Sequence, residues 1–136
     1  MINAVLYSDQ IIGENAAIDR ALVGMLAPCG NRIGYIPSGP DPHGQFLDLS
    51  RAYYAALDLE LALVHDLDLA HDRAGLDALL ACDAIHLSGG DTGAFLRRLR
   101  RAGMIDMLKA WATDGGVLIG ASAGSILMTP SIALDG

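Results

Sequence analysis

Val117-Leu118-Ile119-Gly120-Ala121-Ser122-Ala123-Gly124 is the stretch on which the fold turns. Residues 117–120 are a short apolar β-type run, entered from the turn Asp114-Gly115-Gly116 and leaving directly into small residues that form a G-x-S-x-G pattern. A strand followed at once by such a pattern, with a helix start expected behind it, is the grammar of a sharp strand-to-helix turn. The same grammar occurs upstream, where the run 84–88 (AIHLS) passes straight into Gly89-Gly90-Asp91-Thr92-Gly93.

Outward from these junctions, β-type runs at 3–8, 32–37 and 59–65 alternate with helical patterns. Ile18, Leu22, Met25 and Leu26 mark a helix over 15–26, and Phe46, Leu49, Tyr53 and Leu57 recur at helical spacing in a second helix expected to cover the sheet. A short helix near 76–81 and helical segments over 94–101 and 105–113 follow, with Arg97, Arg98, Arg100 and Arg101 read as a solvated face. Strands alternating with helices specify a mainly parallel α/β sheet, whose functional loops lie at the strand C-termini. No linker, repeat or low-complexity tract divides residues 1–136, so a single doubly wound domain is expected.

Composition narrows the function classes. With 52% hydrophobic and 18% charged residues, the 136-residue chain has ample apolar surface for a core, which excludes disorder. Nine Lys and Arg against sixteen Asp and Glu, a net charge of −7, argue against a nucleic-acid partner. No apolar run approaches the roughly 20 residues of a membrane span, and residues 1–4 do not read as a secretory leader, so a cytoplasmic protein is expected. The two cysteines, Cys29 and Cys82, are expected as free buried thiols.

The G-x-S-x-G turn carries the chemistry. Ser122 on such a turn would stand exposed above the sheet as a nucleophile, with the next helix directing free N–H groups at developing negative charge. In the second loop, Gly89 and Gly90 let the backbone approach a ligand, and a backbone N–H there could join that of Ala123 in an oxyanion hole. Gly89, Asp91 and Thr92 are candidate substrate contacts, although Asp91 or Thr92 could equally cap the following helix. The spacing fits neither phosphate-loop pattern. His86, inside a strand, reads as a satisfied core histidine. His65, Asp66, Asp68, His71 and Asp72 read as a solvated strand edge, so neither a metal nor any other cofactor is expected.

Ser88-Gly89-Gly90-Asp91-Thr92 followed by Ile119-Gly120-Ala121-Ser122-Ala123-Gly124 and Thr129-Pro130-Ser131-Ile132 resembles the family of aspartyl dipeptidase (peptidase E) and cyanophycinase. Ile33-Gly34-Tyr35-Ile36-Pro37-Ser38 and Tyr53-Tyr54 look like its peptidase-E-like branch. The resemblance implies a three-layer αβα sandwich related to the class I glutamine amidotransferases. It implies a serine peptidase acting on small acidic peptides such as Asp-X dipeptides, with Ser122 as nucleophile and Gly90 and Ala123 as oxyanion donors. Ser88 and Asp91 depart from the family's usual Gly and Asn. The family's general-base His and its acidic partner follow the Ser, whereas His43, His65, His71 and His86 all precede Ser122. The expectation is therefore a domain incomplete at its C-terminus, completed by residues beyond Gly136 or by a second chain, as a homo-oligomer or in association with the missing part. The other reading is a non-catalytic domain that keeps the elbow and binds a carboxylate-bearing ligand or a partner.

Overall fold

The structure, a computed structural model, describes residues 3–39, 41–67, 73–89 and 92–121. Strands β1 (Asn3–Tyr7), β2 (Arg32–Ile36), β3 (Glu60–Val64), β4 (Ala84–Leu87) and β5 (Val117–Ala121) form one sheet in the order β1-β5-β4-β2-β3. Every pairing is parallel. The helices are α1 (Ala16–Leu26), α2 (Gln45–Ala55), α3 (Arg73–Leu80), α4 (Thr92–Arg101) and α5 (Met104–Thr113). Each element expected from the sequence within these residues is present, with ends moved by a few residues.

The period of two along each strand divides the core between the two faces. Val5 and Tyr7 of β1, Ile33 and Tyr35 of β2, and Val117 and Ile119 of β5 pack with Leu22 and Leu26 of α1 and Tyr53 and Tyr54 of α2. On the other face Ile36, Ile85, Leu87 and Leu118 pack with Leu79 of α3, Phe95 and Leu99 of α4, and Leu108 of α5. This is a three-layer αβα sandwich, as the alternation required. The distribution of helices follows from handedness. From β1 to β2 to β3 the chain steps in one direction across the sheet; from β3 to β4 to β5 it steps back. Right-handed crossovers then oblige the connecting helices to change face after β3, which is where α3 appears on the opposite side.

Two packing expectations are corrected. Phe46 and Leu49 do not cover the sheet: they are 66% and 67% exposed, and the buried residues of α2 are Tyr53 and Tyr54. Helical spacing shows which residues share a stripe, but Tyr53 and Tyr54 at the far end of the helix anchor it. Cys82 is buried, whereas Cys29, just beyond α1, is exposed; both thiols are free.

Candidate active site

The strand order opens a crevice where two neighbouring strands send their connections to opposite faces. β2 and β4 are such neighbours: β2 leads to α2 on one face and β4 to α4 on the other. Above their C-terminal ends lies a cleft of about 450 Å³. Its walls include Ser38 and Gly39 after β2, Ser88 and Gly89 after β4, and Ala121 at the end of β5. Phe46 and Leu49 of α2 line its flank, which accounts for their exposure.

Ser122, Ala123, Gly90 and Asp91 lie outside the described residues, as does the side chain of Thr92. Their stems are placed. β5 is an interior strand, with Tyr7 level with Ala121 on one side and Leu87 level with Gly120 on the other. The sequences that follow β4 and β5 thus leave adjacent parallel strands at the same edge of the sheet. Ala121 lines the cleft.

The floor is aromatic and polar. His86 is 1% exposed and stacks on Tyr35, ring centroids 4.9 Å apart. The Tyr54 hydroxyl lies 2.5 Å from His86 Nδ1 and accepts a hydrogen bond from Gln10 Nε2 at 3.0 Å. Burial holds the His86 pKa down at about 3 and pushes that of Tyr54 up, so both groups are neutral at ordinary pH. His86 is thus the satisfied core histidine its strand position indicated, with one edge on the cleft. Beside this floor, Asp19 Oδ1 accepts hydrogen bonds from Tyr7 Oη at 2.7 Å and Tyr53 Oη at 2.6 Å.

A second set of bonds shapes the loops. Ser38 N–H donates to Ser88 Oγ at 2.8 Å, and Ser38 Oγ donates to the Gly89 carbonyl. Arg98 Nη1 donates to the Ser38 carbonyl at 2.5 Å. A Cβ on Gly39 would sit 2.7 Å from that same nitrogen. Arg98 is therefore half-buried against the β2 loop, whereas Arg97, Arg100 and Arg101 form the exposed face expected of all four. On the far side of the loop Asp41 starts α2, its carboxylate accepting from Gln45 N and Leu47 N at 3.1 Å each.

The remaining polar candidates stand apart from the cleft lining. His43 is exposed before α2, and His65 is buried after β3. Asp68, His71 and Asp72 lie outside the described residues, and among the described residues no three His, Cys, Asp or Glu side chains gather as a metal site. Ser38, Arg98 and Gln10 were not singled out by sequence reasoning. Their roles depend on contacts across 44 to 60 positions, for which a single sequence carries no local signal.

A doubly wound parallel sheet covered by helices on both faces, with the G-x-S-x-G sequence following β5 and the Gly89-Gly90 sequence following its neighbour β4, defines the class as an αβα fold with its candidate site at the strand C-termini. The chain belongs to peptidase family S51, whose family model matches residues 6–136. A curated relative from Listeria monocytogenes, an uncharacterized peptidase named Lmo0363, is 34% identical over 73 residues, covering 52% of this chain and 36% of the relative. A crystal structure described as a peptidase E protein from Listeria monocytogenes superposes with a TM-score of 0.69 at 24% identity, over 98% of this chain and 64% of that one. The crystal structure of a peptidase from an acI-B1 actinobacterium gives 0.71 at 20% identity, over 95% and 57%. The chain thus spans 36% of the curated relative's length and 64% and 57% of the two structures'.

Proposed function

We propose that the protein hydrolyses short peptides through Ser122, by acyl transfer to its hydroxyl and hydrolysis of the resulting ester. The observation that carries this is the position of Ala121: the last residue of β5 lines the cleft, and the serine of the G-x-S-x-G sequence comes next. In the first step Ser122 Oγ bonds to the scissile carbonyl carbon and gives up its proton to a base. The carbonyl oxygen becomes an oxyanion held by the N–H groups of Gly90 and Ala123. Collapse expels the amine, which takes the proton, and water then releases the acyl group.

The base is not His86 in the floor, because it takes up a second ring proton only near pH 3 and its Nδ1 is engaged by Tyr54. The base and its acidic partner are therefore assigned to residues outside these 136, either further along a longer chain or on a second copy. The greater length of the relatives supports this assignment. For substrate class the reading is an N-terminal Asp-X dipeptide, which rests on the family likeness. Among the described residues lining the cleft there is no Lys or Arg, so the cation that would hold an acidic side chain is likewise assigned elsewhere. A panel of X-Leu dipeptides, assayed with the intact protein and its Ser122→Ala variant, tests the proposal. The expected result is Ser122-dependent cleavage with Asp-Leu preferred. Equal cleavage of Lys-Leu and Asp-Leu would overturn the substrate assignment, and full activity of Ser122→Ala would overturn the mechanism.

A further inference from the structure

We infer that Phe46 and Leu49 form an apolar subsite of the cleft that receives the second residue of the substrate, so that a large apolar residue is selected after the Asp. The inference rests on the peptide-hydrolase reading above and names the half of the substrate which that reading leaves open.

Phe46 and Leu49 stand three positions apart on α2 and are therefore neighbours on its surface. They are 66% and 67% exposed, and both line the cleft. Ser50 and Tyr53 continue the same stripe one and two turns further on. Ser50 is half-buried and still lines the cleft, whereas Tyr53 is buried in the core beneath the helix. One stripe thus has two surroundings: its C-terminal end covers the sheet, and its N-terminal end borders the cleft above the strand ends.

The helix that carries this wall is held at both ends. Before its first turn the Asp41 carboxylate accepts from Gln45 N and Leu47 N, and Gly44 makes the entry at a φ of 65°. At the other end the Tyr53 hydroxyl donates to Asp19 Oδ1 and the Tyr54 hydroxyl meets His86 Nδ1. A wall already in place costs a ligand no ordering of the protein.

Charge and size decide what sits against it. The cleft is lined by Asp9 and Asp41 and, among the described residues, by no Lys or Arg. An acidic side chain laid on this wall would lose water and gain no partner, whereas an apolar one gains by leaving water. Elsewhere the lining offers polar groups from Ser38 and Ser88, suited to a peptide main chain. A volume of about 450 Å³ lies within the ~300–1,000 Å³ of small-ligand sites. In a dipeptide that begins with Asp, only the second residue can supply an apolar group.

The experiment measures kcat/KM of the intact protein for Asp-Leu and Asp-Ala, in wild type and in the double variant Phe46→Ser with Leu49→Ser. One methylene in a hydrophobic pocket discriminates by ~10- to 200-fold, and a wall open to water reaches the lower end, so Asp-Leu should exceed Asp-Ala about 10-fold. In the double variant that ratio should fall to about threefold or less, through KM, because the contact is made equally in ground and transition states. Both positions are exposed, so the variant should keep the thermal midpoint of wild type. Titrating the two peptides into Ser122→Ala, with and without the double substitution, reads the same preference as dissociation constants. Ser122-dependent cleavage with equal kcat/KM for the two peptides, or a preference that survives the double substitution, would overturn the subsite and leave the hydrolase reading standing. A double variant that loses stability or changes its native mass, with its preference intact, would also overturn it and show that protein covers this wall. Full activity of Ser122→Ala, or no cleavage at all, would remove the hydrolase reading, and the titration would then decide the subsite by itself.

Discussion

Tyr54 and His86 meet beneath the cleft with 2.5 Å between the phenol oxygen and Nδ1. Burial keeps the Tyr54 proton on its oxygen, so the phenol donates and Nδ1 accepts, which places the ring proton on Nε2. Gln10 Nε2 fills the acceptor side of the same phenol. The imidazole is thus held neutral and in one tautomer, as a support for the end of β4.

This pair makes the fold acid-sensitive in a defined window. An unfolded His binds a proton below its ordinary pKa of about 6.5, whereas folded His86 does so only near pH 3. Between those values the unfolded state binds more protons, so stability falls as pH drops, by at most ~1.4 kcal/mol per pH unit from this one group. Denaturant midpoints of wild type and His86→Gln between pH 7 and 4 check this: the variant should lose less stability on acidification. Parallel curves would contradict the assignment.

The Asp19 carboxylate gathers two phenols on one oxygen. Hydrogen bonds to a carboxylate contribute about 1.5–3 kcal/mol each. Tyr7→Phe and Tyr53→Phe should each lower stability by roughly that amount. Because both bonds share Oδ1, the double variant should lose less than the sum. Urea titration of the four-member cycle gives the coupling, and strict additivity would show that the two bonds are independent.

Gly34 lies in β2 where Leu79 of α3 presses on the strand: a Cβ there would stand 2.7 Å from Leu79 Cδ1 and 3.3 Å from Cys82 Sγ. Leu79 is fully buried. Gly34→Ala should destabilise by about 1–3 kcal/mol through overpacking. The paired variant Gly34→Ala with Leu79→Ala should recover part of that loss, measured as thermal midpoints. No recovery would point to a different cause.

The periodicity that made the αβα order readable was strong because each strand is buried on one or both faces. Val117, Leu118 and Ile119 announce a central strand, and Ala84-Ile85-His86-Leu87 another, since nothing but a covered sheet needs so continuous an apolar run. The site was readable only in its backbone motifs, which are local. Ser38, Arg98 and Gln10 are ordinary loop and helix residues whose roles arise when β1, β2 and β4 are gathered into one sheet. Phe46 and Leu49 misled for the same reason. An apolar stripe has the same spacing whether it faces a sheet or a cleft, and only the tertiary arrangement separates the two.

Mapping a fluorophosphonate adduct by mass spectrometry tests the role of Ser122 most directly, because the reagent modifies a serine only where its hydroxyl is activated and an oxyanion pocket is formed. The intact protein should gain one adduct, on the peptide that contains Ser122, and a competing dipeptide substrate should slow its formation. An adduct on another residue, or none from a folded protein that still cleaves peptides, would contradict the assignment of Ser122 as nucleophile.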